Sequence, residues 1–265
     1  MMVSQVEYYF ERISKYLVGS YLNGVPELHR LSRTSKYMRE IFKRKKFVRL
    51  ILYRNLESLL LPFEIDINVF KHLMESTEAI LSGSIVLQCF IGAKWDNSDV
   101  DIYLPYLGKT QRSKTVLRQY LNYFENYSLM KHKKKSKYMS KKYGNAICYV
   151  RFLNEFRHNT EGKTVQLIYV SKSLLGTVRN IVRSFDLSIV ANYFTGSTWR
   201  FDHSKHILKR KMEFQSQLPY SSMLTKASFY RIIKYNKRGF RFKKNTRPRC
   251  ITDELWNILD KTYDK

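Results

Sequence analysis

Hydrophobic residues recur at every third or fourth position through most of the first 80 residues, which is the spacing of amphipathic helices. Pro26 lies near the start of the second helical stretch, a position that suits proline. The helices that this spacing predicts cover 5–18, 25–42, 43–61 and 68–80. The segment 62–72 links the first three to the fourth, so residues 1–62 are expected to form a helical unit.

The pattern changes to alternation in DVDIYLP, residues 99–105, where polar and apolar side chains take turns until Pro105. Alternation of this kind, stopped by a proline, predicts a strand. Two more strands are expected at 146–153 and 163–170, and a short apolar helix from Ile85 to Phe90. Further helices are expected at 113–127, 172–194, 203–216, 221–237 and 252–262.

These elements predict an α+β fold in which a small mixed sheet is flanked by helices and both ends of the chain are helical. With 265 residues the chain is long enough for one large domain or two small ones. We expect three parts: a helical segment over 1–62, an α/β core over 63–171, and a helical C-terminal part over 172–265.

The net charge of +26 makes a polyanion the expected partner, with solubility or adhesion to any anionic surface as the alternative. The charge is uneven, because residues 61–108 contain two basic and seven acidic side chains while the flanking segments are basic. A site that binds a divalent cation beside phosphates needs this arrangement of charges.

No apolar run approaches the roughly 20 residues of a membrane span, so no membrane association is expected. Cys89, Cys148 and Cys250 lie far apart and lack CxxC spacing, and the six histidines show no ligand spacing. The sequence therefore predicts reduced thiols, no zinc site, and an intracellular location in the cytoplasm or nucleus.

Asp99 and Asp101 are the candidate metal ligands, because alternate residues of a strand point to the same face. Two neighbouring carboxylates repel each other unless a cation lies between them, and Mg²⁺ prefers such oxygen ligands. Gly83 and Ser84 precede the short apolar helix, where free N–H groups and a hydroxyl can bind a phosphate. Glycine also allows close approach of the backbone.

The order of these features, SGS followed by a helix and then SDVDIYLP, resembles the signature of the DNA polymerase beta-like nucleotidyltransferase superfamily. The resemblance covers about residues 68–170. It implies that Ser84 contacts an incoming nucleoside triphosphate and that Asp99 and Asp101 hold Mg²⁺ or Mn²⁺. It also implies transfer of a nucleotide monophosphate to a nucleic-acid or protein acceptor.

The chain departs from this superfamily at the third carboxylate, which the family carries on a later strand. The matching strand here is TVQLIYV, and it offers Gln166. An amide can bind a metal or donate a hydrogen bond, but it cannot act as the base that deprotonates an attacking hydroxyl. Either another acid such as Asp186 substitutes for it, or the site no longer turns over. A helix cap or a buried ion pair is the alternative for Asp186.

Residues 13–52 resemble an F-box-like segment, with Pro-Glu-Leu followed by a Leu-x-x-x-Ser-Lys helix and a basic tail. That resemblance implies a Skp1-type adaptor as a partner; the alternative is a helical cap that packs on the core. The combination with the aspartate motif resembles a loosely defined group found in large DNA viruses and fungi. A virion or viral factory is then a further location.

Two basic segments are candidates for nucleic-acid binding. Residues 131–142 carry seven lysines, either as a solvated hairpin tip or as a flexible phosphate clamp. Residues 229–249 interleave aromatic and basic side chains, which is typical of single-strand binding but also of an amphipathic helix ending at Gly239. The predicted contacts are Lys133, Lys134, Lys135, Lys137, Lys141, Lys142, Arg231, Lys234, Lys237, Arg238 and Arg241.

Three functions remain open at this level. The first is a Mg²⁺-dependent nucleotidyltransferase, of low activity if Gln166 is not replaced by an acid from elsewhere. The second is a degenerate nucleotidyltransferase fold that binds RNA or single-stranded DNA or acts as a scaffold. The third is an F-box-like adaptor.

Overall fold

The computed structural model describes most of the chain between residues 21 and 242. The described residues are 12, 16, 21–34, 36–42, 45–96, 98–106, 117–121, 127–134, 150–158, 162–171, 178–215 and 226–242. Within these ranges, no helix is long and apolar enough to cross a membrane. The predicted helices at 5–18 and 252–262 lie outside the described residues, apart from residues 12 and 16.

Three helices form the N-terminal part: α1 (Val25–Leu31), α2 (Lys36–Phe42) and α3 (Lys45–Leu60). The single helix predicted at 25–42 is therefore wrong. Its interruption has a local cause, because the hydroxyls of Ser32 and Thr34 donate to the carbonyls of His29 and Leu31. Such side-chain hydrogen bonds compete with continuation of a helix.

Helix α4 (Ile67–Ser76) follows a short 3₁₀ turn at Leu61–Phe63. Its start is fixed by Asp66, whose carboxylate accepts hydrogen bonds from the N–H groups of Asn68 and Val69 at 2.8 and 2.9 Å. This is a standard N-cap, which typically contributes about 1 kcal/mol.

The next part of the chain builds most of one mixed sheet. Its elements are β1 (Ile80–Ser82), α5 (Ser84–Ile91), β2 (Val100–Tyr106), β3 (Tyr127–Lys134), β4 (Val150–His158) and β5 (Thr164–Ser171). Residues 117–121 are helical. Strand β2 pairs with β5 in parallel and with β1 antiparallel, so it lies at the centre of the sheet.

The predicted α+β fold with a mixed sheet flanked by helices is confirmed. The order of the seven strands is β3-β4-β5-β2-β1-β6-β7, where β6 (Asn192–Phe194) and β7 (Trp199–Phe201) come from the C-terminal part. The helix predicted at 172–194 is therefore wrong; a short helix, α6 (Val178–Arg183), and a 3₁₀ turn precede β6. The run LSIVANYF is apolar except for Ser188 and Asn192, and all eight residues are buried. Periodicity alone cannot separate a buried strand from a buried helix.

The helix predicted at 203–216 is also much shorter. Helix α7 (Ser204–Leu208) ends before β8 (Lys211–Met212), which pairs in parallel with β9 (Arg241–Phe242). Between these two strands, α8 (Lys226–Lys237) confirms the predicted helix at 221–237 over its described part.

Both faces of the sheet are covered by apolar side chains. The larger hydrophobic cluster contains alternate residues of β2 and β5, such as Ile102 and Leu167, together with buried residues of α1, α3, α4, α5 and α8. The smaller cluster covers the other face, where Tyr103 and Ile168 pack with residues of α6. The larger cluster includes residues from all three predicted parts of the chain, and the three-part division stays a prediction.

The segment before α1 lies directly on the end of α5. A Cβ on Gly92 would lie 2.1 Å from the Asn23 carbonyl oxygen, and one on Gly24 would lie 2.5 Å from the carbonyl carbon of Ile91. The Asn55 amide of α3 donates to the carbonyls of Asn23 and Cys89 at 2.7 and 2.8 Å. The N-terminal segment is thus in backbone contact with the end of α5, and the Asn55 side chain of α3 is hydrogen-bonded to both.

We expect Gly92→Ala to lower the free energy of unfolding by about 2–4 kcal/mol, since it adds a clash to the cost of a positive φ. Gly92 has φ +69° and no room for a Cβ. Gly239→Ala is the matched control, because Gly239 has φ +81° and nothing within 4 Å of its Cβ position. Urea unfolding of both variants measures the difference, and equal losses would show that the contact with Asn23 contributes nothing.

Candidate nucleotide and metal site

The site predicted from the sequence forms where β1, α5 and β2 meet. Gly83 connects β1 to α5, and a Cβ at this position would lie 3.0 Å from Asp101 Oδ2. The Asp101 carboxylate therefore lies against the turn at the N-terminus of α5, where backbone N–H groups attract anions. Of the two aspartates proposed as metal ligands, Asp101 is thus the one that faces the Gly83–Ser84 turn.

The strand register places Gln166 beside Asp101. Asp101 is the partner of Ser82 on β1 and of Gln166 on β5, and partnered residues project from the same face of a sheet. Gln166, at the position where the resemblance places a third carboxylate, therefore lies next to Asp101 on the neighbouring strand. Gln166 is buried, whereas Asp101 is partly exposed.

A further carboxylate continues this row, and the sequence did not point to it. Glu155 on β4 is the partner of Gln166, whose amide nitrogen lies 3.4 Å from Glu155 Oε2 and donates to it. Neighbouring strands are about 4.8 Å apart, so the backbones of Asp101 and Glu155 are separated by about 10 Å. Ser82, Asp101, Gln166 and Glu155 thus form one polar row across four strands. Glu155 could be found only from the β4–β5 register.

Asp99 precedes β2 and is partly exposed. Because side chains alternate along a strand and Asp99 lies two positions before Asp101, both are expected on the same face of the sheet. Among the described residues, however, Asp99, Asp101 and Glu155 are not a set whose ligand atoms all lie within 4.8 Å of one another. The site offers a pair of aspartates and a buried amide, with the third acid one strand further away.

Two buried tyrosines, Tyr103 and Tyr235, are influenced by the charges of Asp101 and Arg231. Burial raises the pKa of Tyr103 well above its ordinary value, and the negative charge of Asp101 raises it further. Burial also raises the pKa of Tyr235 on α8, and Asp101 contributes in the same direction. Arg231 opposes both shifts. Helix α8 therefore contributes one phenol, Tyr235, and the cation Arg231 near the Asp101 carboxylate, and β2 itself contributes the second phenol, Tyr103.

Asp186 does not join the row of polar residues. Its Oδ2 lies 3.0 Å from a guanidinium nitrogen of Arg231, and its Oδ1 accepts a hydrogen bond from the Leu187 N–H. This mostly buried ion pair attaches α8 to the segment before β6. It corresponds to the alternative of an ion pair that the sequence left open for Asp186.

The predicted nucleic-acid contacts lie in different settings. Lys234, Lys237 and Arg241 are exposed, whereas Arg231 pairs with Asp186 and the Arg238 guanidinium lies 3.9 Å from the centre of the Trp95 ring. Burial lowers the pKa of Arg238. Lys133 and Lys134 belong to β3, so that part of the basic segment is a strand. Lys135, Lys137, Lys141 and Lys142 lie outside the described residues.

The fold and site define an α+β protein whose mixed sheet carries the Asp101 carboxylate beside a helix N-terminus, next to a buried amide on the neighbouring strand. Residues 51–210, more than half of the chain, match the Gabija anti-defense 2 family. The chain belongs to this family. No curated protein matches it significantly.

Among solved structures, the chain is similar to CCA-adding enzymes. The apo form I of one such enzyme is 14% identical, with a TM-score of 0.41, over 78% of this chain and 46% of that one. The Thermotoga maritima enzyme complexed with tRNA is 15% identical, with a TM-score of 0.44, over 78% and 46%. The chain spans less than half the length of these enzymes.

Proposed function

We propose that this chain is a nucleotidyltransferase-like protein that binds a nucleoside triphosphate with Mg²⁺ or Mn²⁺ and transfers a nucleotide monophosphate at a low rate. The acceptor is a nucleic acid or a protein. The observation that carries the proposal is the contact of the Asp101 carboxylate with the Gly83 turn, in register with Gln166. The metal ligand Asp101 and the phosphate-binding turn at Gly83 are then close enough to bind the same triphosphate.

The residues present fit a magnesium ion. Mg²⁺ is commonly held by one or two carboxylates together with substrate phosphates and waters, so Asp99 and Asp101 suffice as protein ligands. The missing Cβ of Gly83 leaves room beside Asp101 Oδ2. The bound metal would neutralise charge on the reacting phosphate. The first N–H groups of α5 would bind the phosphate oxygens, and the Ser84 hydroxyl would be adjacent.

The low rate follows from Gln166. Its amide donates to Glu155 and has no basic site with which to accept a proton from an attacking hydroxyl. Glu155 can accept a proton but lies one strand beyond the position next to Asp101. Proton transfer by a positioned base contributes about 10²–10⁴-fold to rate, and a site that lacks it turns over slowly.

Gln166→Asp is expected to raise transfer by about tenfold or more, because it places a carboxylate beside Asp101. The measurement is incorporation of each labelled nucleoside triphosphate into RNA or protein acceptors, with Mg²⁺ or Mn²⁺. Gln166→Asn is the matched control, since it shortens the side chain equally and adds no charge. Equal rates in the two variants would contradict the assigned role of position 166.

A second candidate is a nucleic-acid-binding protein in which this fold no longer turns over. It is favoured by the buried amide at position 166, where the superfamily carries an acid. Binding of RNA or single-stranded DNA without incorporation of any labelled nucleotide, in the wild type and in Gln166→Asp, would establish this function instead.

The family name adds a biological context for either activity. We propose that the Asp99–Asp101 site carries the action against Gabija defence that this name describes. The location in the cell and the Skp1-type partner stay predictions, and the F-box-like segment lies mainly before the residues that match the family.

A further inference from the structure

Away from the candidate nucleotide site, three side chains with metal-binding atoms converge. They are His203, His206 and Glu213, and their ligand atoms all lie within 4.8 Å of one another. Glu213 Oε1 lies 3.0 Å from His206 Nδ1 and 4.0 Å from His203 Nδ1. The two imidazole rings stack with centroids 5.9 Å apart and an interplanar angle of 18°. Within the described ranges, no other set of three histidine, cysteine or acidic side chains meets this distance.

The backbone holds the three residues in place. His203 immediately precedes α7 and His206 lies three positions later, so both histidines project from one side of the helix. Glu213 follows β8, and its N–H donates to the Ser188 hydroxyl at 3.2 Å while its carbonyl accepts from the Ser188 N–H at 2.9 Å. The ligands therefore come from two elements that are fixed separately. The spacing in sequence hid the site because the third ligand comes from another element.

The donor set suits zinc. Two imidazoles and one carboxylate, with water in the fourth position, form a known type of tetrahedral zinc site. With metal–ligand distances near 2.0–2.1 Å, ligand atoms in a tetrahedron lie about 3.3 Å apart. The distances of 3.0 and 4.0 Å bracket that value, so small side-chain rotations suffice. The three side chains are 29%, 29% and 16% exposed, which leaves a path for an ion and a water.

We propose that His203, His206 and Glu213 bind one Zn²⁺ ion, with water as the fourth ligand. The ion fastens α7 to the residue that follows β8. Strand β8 pairs with β9, which follows α8, the helix that carries Tyr235 and Arg231. Zinc at this position thus stabilises the C-terminal part that surrounds Asp101, and the proposal stands independently of any transferase activity.

The test is titration of the untagged full chain with Zn²⁺ by calorimetry and with Co²⁺ by absorption spectroscopy. We expect one ion per chain, a tetrahedral Co²⁺ spectrum without a thiolate charge-transfer band, and a Tm raised by about 5 °C or more at saturating Zn²⁺. His203→Ala with His206→Ala should abolish binding, and Glu213→Gln should weaken it at least tenfold.

His29→Ala is the matched control, because His29 is exposed on α1 and belongs to no such cluster. It should bind Zn²⁺ like the wild type. Far-UV circular dichroism without metal checks that the variants are folded. An absence of binding by the wild type would overturn the proposal. So would a thiolate band, which assigns the ion to cysteines, or undiminished binding by folded variants of the cluster.

Discussion

Replacing Asp99 and Asp101 together by alanine is expected to abolish nucleotide transfer and to leave the fold intact. The two carboxylates are the proposed protein ligands of the metal, and charge neutralisation by such an ion is worth several kcal/mol in a transition state. Each 1.36 kcal/mol is a factor of ten in rate, so the loss should be at least about 100-fold. Incorporation of labelled nucleotide measures it.

In the absence of metal, the free energy of unfolding of the double variant should not fall with its activity. Asp101 lies against the Gly83 turn with its Oδ1 shielded from solvent, and Asp99 lies two positions before it. Two neighbouring carboxylates repel each other when no cation is present. The double variant is therefore expected to unfold at the same or a higher urea concentration than the metal-free wild type. Added Mg²⁺ should stabilise only the wild type.

Asp96→Ala supplies the control, since Asp96 is an exposed carboxylate a few residues before the pair. It removes a like charge without touching the proposed ligands and should keep full activity. The wild type, the double variant and Asp96→Ala should also be compared for their action against Gabija in an assay in which that defence is active. Transfer that persists in the double variant would refute the metal site. Transfer that is lost while action against Gabija persists would separate the family's role from this chemistry.

The second large effect concerns salt. We expect the affinity for single-stranded RNA or DNA to fall by more than about 100-fold between about 50 and 200 mM salt, as six phosphate contacts would require. The reason is the net charge of +26 on a chain in which residues 61–108 contain only two basic side chains and the flanking segments are basic. Fluorescence anisotropy with a labelled oligonucleotide at several salt concentrations gives the slope. A nearly constant affinity would contradict nucleic-acid binding through the phosphate backbone.

Substitutions can locate the contacts within this basic surface. Changing Lys135, Lys137, Lys141 and Lys142 to glutamine should lower the salt slope by about three for a single strand. Substitution is preferable to deletion of 131–142, because residues 131–134 pair with β4. The control removes the same charge from four exposed lysines elsewhere: Lys36, Lys45, Lys205 and Lys209. Equal slopes in the two variants would indicate that the net charge of the protein, and not a local contact of residues 131–142, determines the salt dependence of binding.

The centre of the site was accessible from the sequence because its geometry depends on short-range rules. Alternation puts Asp99 and Asp101 on one face, and the apolar run after Ser84 has the length of a short helix. The pairing of Asp101 with Gln166 required only that the strand containing TVQLIYV lie next to β2, which it does. Within each strand these features follow from residues a few positions apart, and the pairing of the two strands adds one long-range contact.

The other parts of the site and fold depend on long-range pairing, which the sequence did not predict. Glu155 enters the site because β4 pairs with β5 in a register that contains a bulge, which no local pattern predicts. Arg231 is part of an interleaved basic and aromatic run, and only the fold shows that Asp186, 45 positions earlier, lies beside it. Strands β6 and β7 have three residues each, too few for alternation to distinguish them from a turn of helix.

The close contact of Gly24 with the end of α5 bears on how far the protein can be shortened. The residues that match the family begin at 51 and end at 210, yet Val25, Leu28 and Phe47 are buried before this range. After it, Ile232, Tyr235 and Phe240 are buried in the same hydrophobic cluster. The shortest fragment that retains the complete hydrophobic core is therefore longer than the range 51–210 that matches the family. Truncation to that range would remove core residues from both ends.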